Sequence, residues 1–122
     1  MRLYSFRKST ARPITQYNSV NAFVTALTNS HQHCTVVCIR IEAHGLLGNH
    51  RASQNQLLLI VAGKGQVCGD AGVFHDIHTD QAAFWQAGEY HTIRSETGLV
   101  AIVIEGDDVS PGAHMVLLSE TE

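Results

Sequence analysis

The sequence predicts a small all-β protein, an antiparallel β-barrel or jelly roll, formed by a single domain that spans residues 1–122. Three observations predict this fold class. Short apolar segments rich in β-branched and aromatic residues recur along the chain, turn signals that contain glycine separate them, and 122 residues is the length of one ordinary domain. Hydrophobic residues make up 44% of the chain and charged residues 16%, a composition that supports a folded core.

The strands are predicted in chain order. Residues 20–27 come first; their apolar side chains fit one face of a helix as well as one face of a strand, and the neighbouring segments favour a strand. The clearer strands are residues 35–41, 57–62, 82–85 and 99–104. The segment 113–118 follows Pro111 and Gly112, so we expect a turn and then a final edge strand or a docked arm.

Charge, hydropathy and cysteine usage exclude several classes of partner. The formal net charge is -3 and the eight Lys and Arg residues are scattered, so no basic stripe is available for nucleic acid. No apolar run is long enough to cross a membrane, and the N-terminus has no apolar signal core. The three cysteines are an odd number, and Cys34 and Cys38 lack Cys-x-x-Cys spacing. We therefore expect a cytoplasmic protein with free thiols that binds neither nucleic acid nor membrane.

Two of the eight histidines stand out by position. His50 follows the glycine-rich bend 45–48 and His91 follows the turn 86–89, so both are predicted to lie at the start of a strand. Histidine is the commonest metal ligand and titrates near neutral pH. His50 and His91 are therefore the predicted centre of a binding site.

The segment 45–63 resembles the first motif of the cupin superfamily, in which a glycine precedes a His-x-His pair, a glutamate and a closing glycine. His50 matches the first histidine, whereas Ala52 stands at the second histidine and Gln56 at the glutamate. The opening differs by one position, because His44 has the spacing to His50 that the first glycine has in the motif.

Residues 80–95 resemble the second cupin motif, and the block 82–91, with residues 96–98, resembles small single-domain cupins that lack an assigned reaction. Gly88 and His91 match that motif, and residues 80, 86 and 95 depart from it. The resemblance extends over nearly the whole chain, since residues 2–6 also look like the opening of such proteins. It implies a cupin barrel, in which three histidines and a glutamate bind a divalent ion.

For this chain the resemblance implies a divalent metal ion, such as Zn, Ni, Mn or Fe, bound by His50 and His91. Gln56, and less directly Gln54, would add neutral oxygen donors; the two glutamines share strand parity, so both can face inward. A substitute ligand could also come from Glu89, His44, His75 or His78. Loss of the carboxylate disfavours the two-histidine, one-carboxylate site of iron oxygenases. The alternative is a polar pocket without metal, in which the glutamines bond to each other or to the histidines.

The remaining candidates have a structural and a functional interpretation. Glu89 is a candidate general base if it is partly buried, and otherwise a solvated turn carboxylate. The segment 75–78 is predicted to be an exposed loop despite its two histidines. His31, His33 and His114 are expected at the surface, and Phe84 and Trp85 on opposite faces of a strand.

Two functions of different class follow. The first is a barrel that binds a small molecule, with a divalent metal, between His50 and His91. The second is a metal-dependent enzyme of isomerase, lyase or oxygenase type that acts on a small organic acid or a sugar-like substrate. The segments 3–6 and 115–118 are apolar edges without internal charge, so we also expect a homodimer.

Overall fold

A computed structural model describes residues 8–26, 34–113 and 115–120 of the chain. Eight strands follow a single 3₁₀ turn at Lys8–Thr10; they are β1 (Arg12–Pro13), β2 (Val20–Ala26), β3 (Thr35–Arg51), β4 (Asn55–Cys68), β5 (His75–His78), β6 (Ala82–Trp85), β7 (Tyr90–Ser95) and β8 (Leu99–Gly106). All the strand pairs are antiparallel. The fold is thus all-β, as the sequence predicts.

Two long strands give the barrel its shape. β3 has 17 residues and β4 has 14, longer than most strands in globular proteins. β8 pairs with the first half of both strands and β7 with the second half of both, so β3, β7, β4 and β8 close into a ring. β2 and β1 extend the sheet from β3, while β5 and β6 pair with β4.

The core consists of the inward side chains of these alternating strands. Ile41, Leu58 and Ile93 are almost completely buried, and Ala101, which belongs to the same cluster, is fully buried. Each large aliphatic side chain buried in this way contributes on the order of 1.5–3 kcal/mol. The interior of the barrel is therefore packed along most of its length, which leaves its two ends for polar side chains.

The predicted strands are confirmed, including the ambiguous one, because residues 20–26 form β2. Within the described residues Cys34, Cys38 and Cys68 are free thiols, also as expected. Predictions for residues 2–6, Leu27, His31, His33 and His114 lie outside the described part of the chain.

Three local predictions are wrong. Residues 45–48 do not form a bend that separates two strands, because β3 continues through them with a register shift between Leu47 and His50. His50 therefore lies near the end of a strand and not at its start. Residues 75–78 form β5 and not a loop, because they pair with the second half of β4. Residues 115–118 form no strand and are exposed.

Candidate functional site

The strand registers bring both ends of β3 and of β4 to one end of the barrel. The starts of β3 and β4 pair with the end of β8, through Thr35 and Glu105 and through Asn55 and Gly106. The ends of β3 and β4 pair with the start of β7. Because residues 52–54 join the end of β3 to the start of β4, all these ends meet. We call this end the mouth of the barrel.

His50 and His91 face each other directly in the mouth. They are register partners across β3 and β7, and their ring centroids are 4.3 Å apart with the ring planes tilted by 55°. The ring of Trp85 lies on the other side of His91, at 4.8 Å. The structure therefore brings together the two histidines that the sequence singles out, 41 positions apart in the chain, and adds an indole to the pair.

His91 is a buried, neutral imidazole. Its side chain is only 1% exposed, and burial, reinforced by the positive charge that His50 would carry, lowers its pKa to about 4. The backbone of Glu89 acts in the opposite direction, although no hydrogen bond of ordinary geometry reaches Nδ1 of His91. His91 thus places a ring nitrogen without a hydrogen-bond partner inside the barrel. This nitrogen offers a lone pair in one neutral tautomer and an N–H in the other.

His50 is half-buried and its ring is held from two sides. Nδ1 lies 2.7 Å from the carbonyl oxygen of Gly48, so Nδ1 carries the proton and donates it, and Nε2 keeps its lone pair. The ring of Tyr17 is stacked on that of His50, with centroids 4.0 Å apart and planes within 8° of parallel. A backbone carbonyl that fixes the tautomer in this way is typical of metal-binding histidines.

A carboxylate and an amide form the opposite wall of the mouth. Gln56 is the register partner of both Glu105 and Trp85, and its Nε2 donates a 2.8 Å hydrogen bond to the Glu105 carboxylate. Glu105 shares its strand face with the buried Ala101 and Val103, so its side chain points toward the interior. Sequence reasoning missed Glu105 because it follows an apolar run without any motif; its parity with those buried residues was the available signal.

The other residues predicted for the site are engaged elsewhere. Gln54 donates to the Asp107 carboxylate in the turn after β8. Glu89 is half-buried and accepts the backbone N–H of Gln86, so it caps its own turn. Ala52 is 1% exposed, and its N–H and C=O bond to the backbone of the turn 86–89. At the position of the family's second histidine the chain is therefore closely packed.

The other described histidines lie outside the mouth pair. Nδ1 of the exposed His44 lies 2.9 Å from the Glu96 carboxylate, and His75 and His78 are exposed on β5. Two cavities, of about 330 and 300 Å³, are lined by neither His50 nor His91. The first is lined by the 69–74 loop and by residues near the ends of β3 and β4 and the start of β7, including Asn49 and Tyr90. The second is lined by residues at the opposite end of the barrel, including Lys8 and Gly98.

The donor set of the mouth fits a divalent cation in part. Two imidazoles face each other, one is neutral because its pKa is low, and the other keeps a free Nε2. No group of three or more His, Cys, Asp or Glu side chains suited to a metal converges within residues 8–26, 34–113 and 115–120. These side chains fit a cation whose remaining positions are filled by neutral oxygens, by water or by ligand atoms, and not a closed four-ligand site.

No family model matches the sequence, and no curated protein matches it. Solved structures do match the fold. The polyketide cyclase RemF from Streptomyces resistomycificus superimposes with a TM-score of 0.73 at 12% identity, over 90% of this chain and 83% of its own. An RmlC-like cupin from Shewanella frigidimarina gives 0.68 at 17% identity, over 88% and 92% of the chains. A cupin from Methanocaldococcus jannaschii described as a double-stranded β-helix gives 0.66 at 15% identity, over 87% and 90%.

The closed ring of antiparallel strands, with a polar mouth at one end, defines the class of a small jelly-roll barrel. Within that class the chain has the cupin fold, because RmlC-like cupins are among the structures that match over most of its length. At these identities the likeness concerns the fold. Within the described residues, no helix is long and apolar enough to span a bilayer.

Proposed function

We propose that the protein binds a small organic molecule in the mouth of the barrel, with His50 and His91 at the centre of the site and a divalent cation as part of it. The main support is the unpaired Nδ1 of His91, in a side chain that is 1% exposed. Folded proteins pair nearly all buried polar atoms, and each exception calls for an explanation such as a bound water or ion. A ligand atom or cation at this nitrogen would remove the cost of leaving it unpaired.

Several residues of the mouth would each have a distinct role in binding the cation. His50 and His91 would hold the cation, with Gln56 as a neutral oxygen donor, since its amide nitrogen is already engaged by Glu105. Gln54 is a weaker candidate because its amide bonds to Asp107. Trp85 would keep water from the inner side of His91. A bound divalent cation supplies a Lewis acid that polarises a carbonyl group or acidifies a water molecule.

Calorimetric titration of the protein with Ni²⁺ at pH 7.5, without any organic ligand, tests this proposal. Nickel is a suitable probe because imidazole ligands bind it more tightly than Mn²⁺ or Fe²⁺. We expect His50→Ala and His91→Ala each to weaken binding at least tenfold. His75→Ala, which removes an exposed histidine of β5, is the matched control and should bind like the wild type. Equal affinity in all four proteins would show that the mouth is not the site.

A second candidate function is a metal-dependent enzyme of isomerase, lyase or oxygenase type, and the inward carboxylate of Glu105 favours it. A carboxylate near a bound carbonyl compound can move a proton, and a polyketide cyclase shares this fold. Small hydroxy acids and sugars can be incubated in D₂O with the nickel-loaded protein, while proton NMR follows the C–H signals beside the carbonyl. Exchange that disappears in Glu105→Gln would support the enzyme, and no exchange in the wild type would favour the binding protein.

A further inference from the structure

The turn between β1 and β2 has an unusual backbone. The N–H of Ser19 donates to the carbonyl oxygen of Gln16 at 3.2 Å, and both residues between them have positive φ, 62° at Tyr17 and 55° at Asn18. This is the pattern of a type I′ turn, which favours Asn and Gly at both central positions. Asn18 suits it, whereas a tyrosine in this conformation costs about 1 kcal/mol or more.

Contacts with β3 hold this turn in place. The N–H of Gly48 donates to the Ser19 hydroxyl at 3.2 Å. The backbone of Tyr17 passes so close to Gly48 that a side chain at position 48 would begin 1.6 Å from the Tyr17 carbonyl oxygen. The strained turn is therefore fixed against the strand segment that carries His50, with the tyrosine ring flat on the imidazole.

Exposure decreases along the row of rings from Tyr17 to Trp85. Tyr17 is 45% exposed, His50 is half-buried, His91 is 1% exposed and Trp85 is 4% exposed. Consecutive centroids lie 4.0, 4.3 and 4.8 Å apart, so the rings are in contact along the whole row. Tyr17 is thus the ring between His50 and the solvent.

We propose that Tyr17 is a positioning residue that covers the histidine pair, and that its ring must leave His50 before a ligand or cation reaches the pair. This inference rests on the proposed function for its biological role. The strain at Tyr17 assists the movement, because leaving the left-handed conformation recovers part of its cost. The ring also holds the imidazole plane of His50 while Nδ1 bonds to Gly48.

Chemical modification tests the cover without any bound metal. Diethyl pyrocarbonate at pH 7 acylates the free nitrogen of a neutral imidazole and releases carbon dioxide and ethanol, and peptide mass spectrometry gives a rate for each histidine. In Tyr17→Gly, which removes the ring and suits a positive φ, we expect His50 to react at least tenfold faster than in the wild type. Tyr17→Phe keeps the ring and should react within twofold of the wild type.

Two controls distinguish loss of the Tyr17 ring from a general loosening of the protein structure. Asn18→Gly alters the same turn but keeps the tyrosine ring, and its rates should match the wild type. The exposed His75 should react at one rate in every variant. An unchanged rate at His50 in Tyr17→Gly would overturn the proposal, and so would an equal rise at His75. Nickel titration of the same variants tests the proposed function separately. If Tyr17→Gly raises the acylation rate of His50 but the protein does not bind nickel, the role of Tyr17 stands and the cation site is rejected.

Discussion

At the scale of single residues, His91 determines much of the electrostatics of the mouth. An exposed imidazole changes charge near pH 6.5, but burial lowers the pKa of this one to about 4. At neutral pH its ring therefore has one N–H and one lone pair. A contact with His50 or with a ligand can determine which of the two nitrogens carries the proton. A charged His91 would instead stand unpaired between an indole and a second imidazole.

The lowered pKa of His91 predicts a loss of stability in mild acid. Between pH 6.5 and 4 the unfolded chain binds a proton at this residue and the folded chain does not, so stability falls as the pH falls through that window. A difference of about 2.5 pKa units corresponds to about 3 kcal/mol, fully present above pH 6.5 and lost by pH 4. Urea unfolding of the metal-free protein at pH 7.5, 5.5 and 4.2 measures it.

The comparison that isolates this residue is His91→Gln, which cannot titrate in that range. Carboxylates contribute acid dependence to both proteins, so the decisive quantity is the difference between the two pH profiles. The wild type should lose about 2–3 kcal/mol more than the variant between pH 7.5 and 4.2. Parallel profiles would mean that the pKa of His91 is the same in the folded and the unfolded protein. The description of His91 as a buried neutral imidazole would then be wrong.

At the scale of elements, the second half of β3 depends on close backbone approach. Glycines at 45 and 48 look like a bend in the sequence, but the strand continues through them. Gly48 does not have a positive φ; it is glycine because the β1–β2 turn lies against it. The glycines of this segment thus allow an element to pack across the strand, and that element brings Tyr17 to His50.

Gly48→Ala should displace the β1–β2 turn. The new methyl group would overlap the carbonyl oxygen of Tyr17, and backbone atoms yield less readily than the end of a side chain. We expect a loss of roughly 1–3 kcal/mol, with faster acylation of His50 because the tyrosine ring moves away. Gly112→Ala, where a methyl group meets nothing within 4 Å, is the control for thermal melts and modification rates. A Gly48→Ala protein with an unchanged melting temperature would contradict this packing.

The elements also show what a sequence can and cannot predict. Short apolar runs rich in β-branched or aromatic residues identify β2, β3, β4, β6 and β8, because such side chains are enriched in strands whatever the strand pairs with. The segment 75–78 lacks that pattern and becomes a strand only because β4 offers an edge. The resemblance predicts both His50 and His91; the turn signal is right for His91 and wrong for His50, because β3 continues through residues 45–48. For Glu105 the local parity with Ala101 and Val103 indicates an inward side chain, but only the pairing of β8 with β3 and β4 places it in the mouth. Tyr17 reaches His50 through a turn that packs on a distant part of the chain, which no local pattern contains.

At the scale of the whole molecule, closure of the barrel assembles the site. β3 and β4 each cross both halves of the fold, so the polar residues at their ends meet in one mouth while the apolar residues between them fill the core. Truncating the buried His91 should therefore disturb packing more than truncating the half-buried His50. This asymmetry follows from topology, because the histidines are register partners with different neighbours on their other sides.

The surface of the whole molecule predicts association through the C-terminal segment. Four consecutive apolar residues are exposed there: Met115 (41%), Val116 (81%), Leu117 (74%) and Leu118 (71%). A continuous exposed apolar segment is typical of a surface that packs against another molecule. We expect these residues to pack on a second copy of the chain and form a homodimer. Sedimentation velocity at micromolar concentration should show a dimer for the wild type and a shift toward monomer for Leu117→Lys. Val73→Lys, at another exposed apolar residue (58%), should leave the dimer intact. A monomeric wild type, or equal dissociation in both variants, would count against this interface.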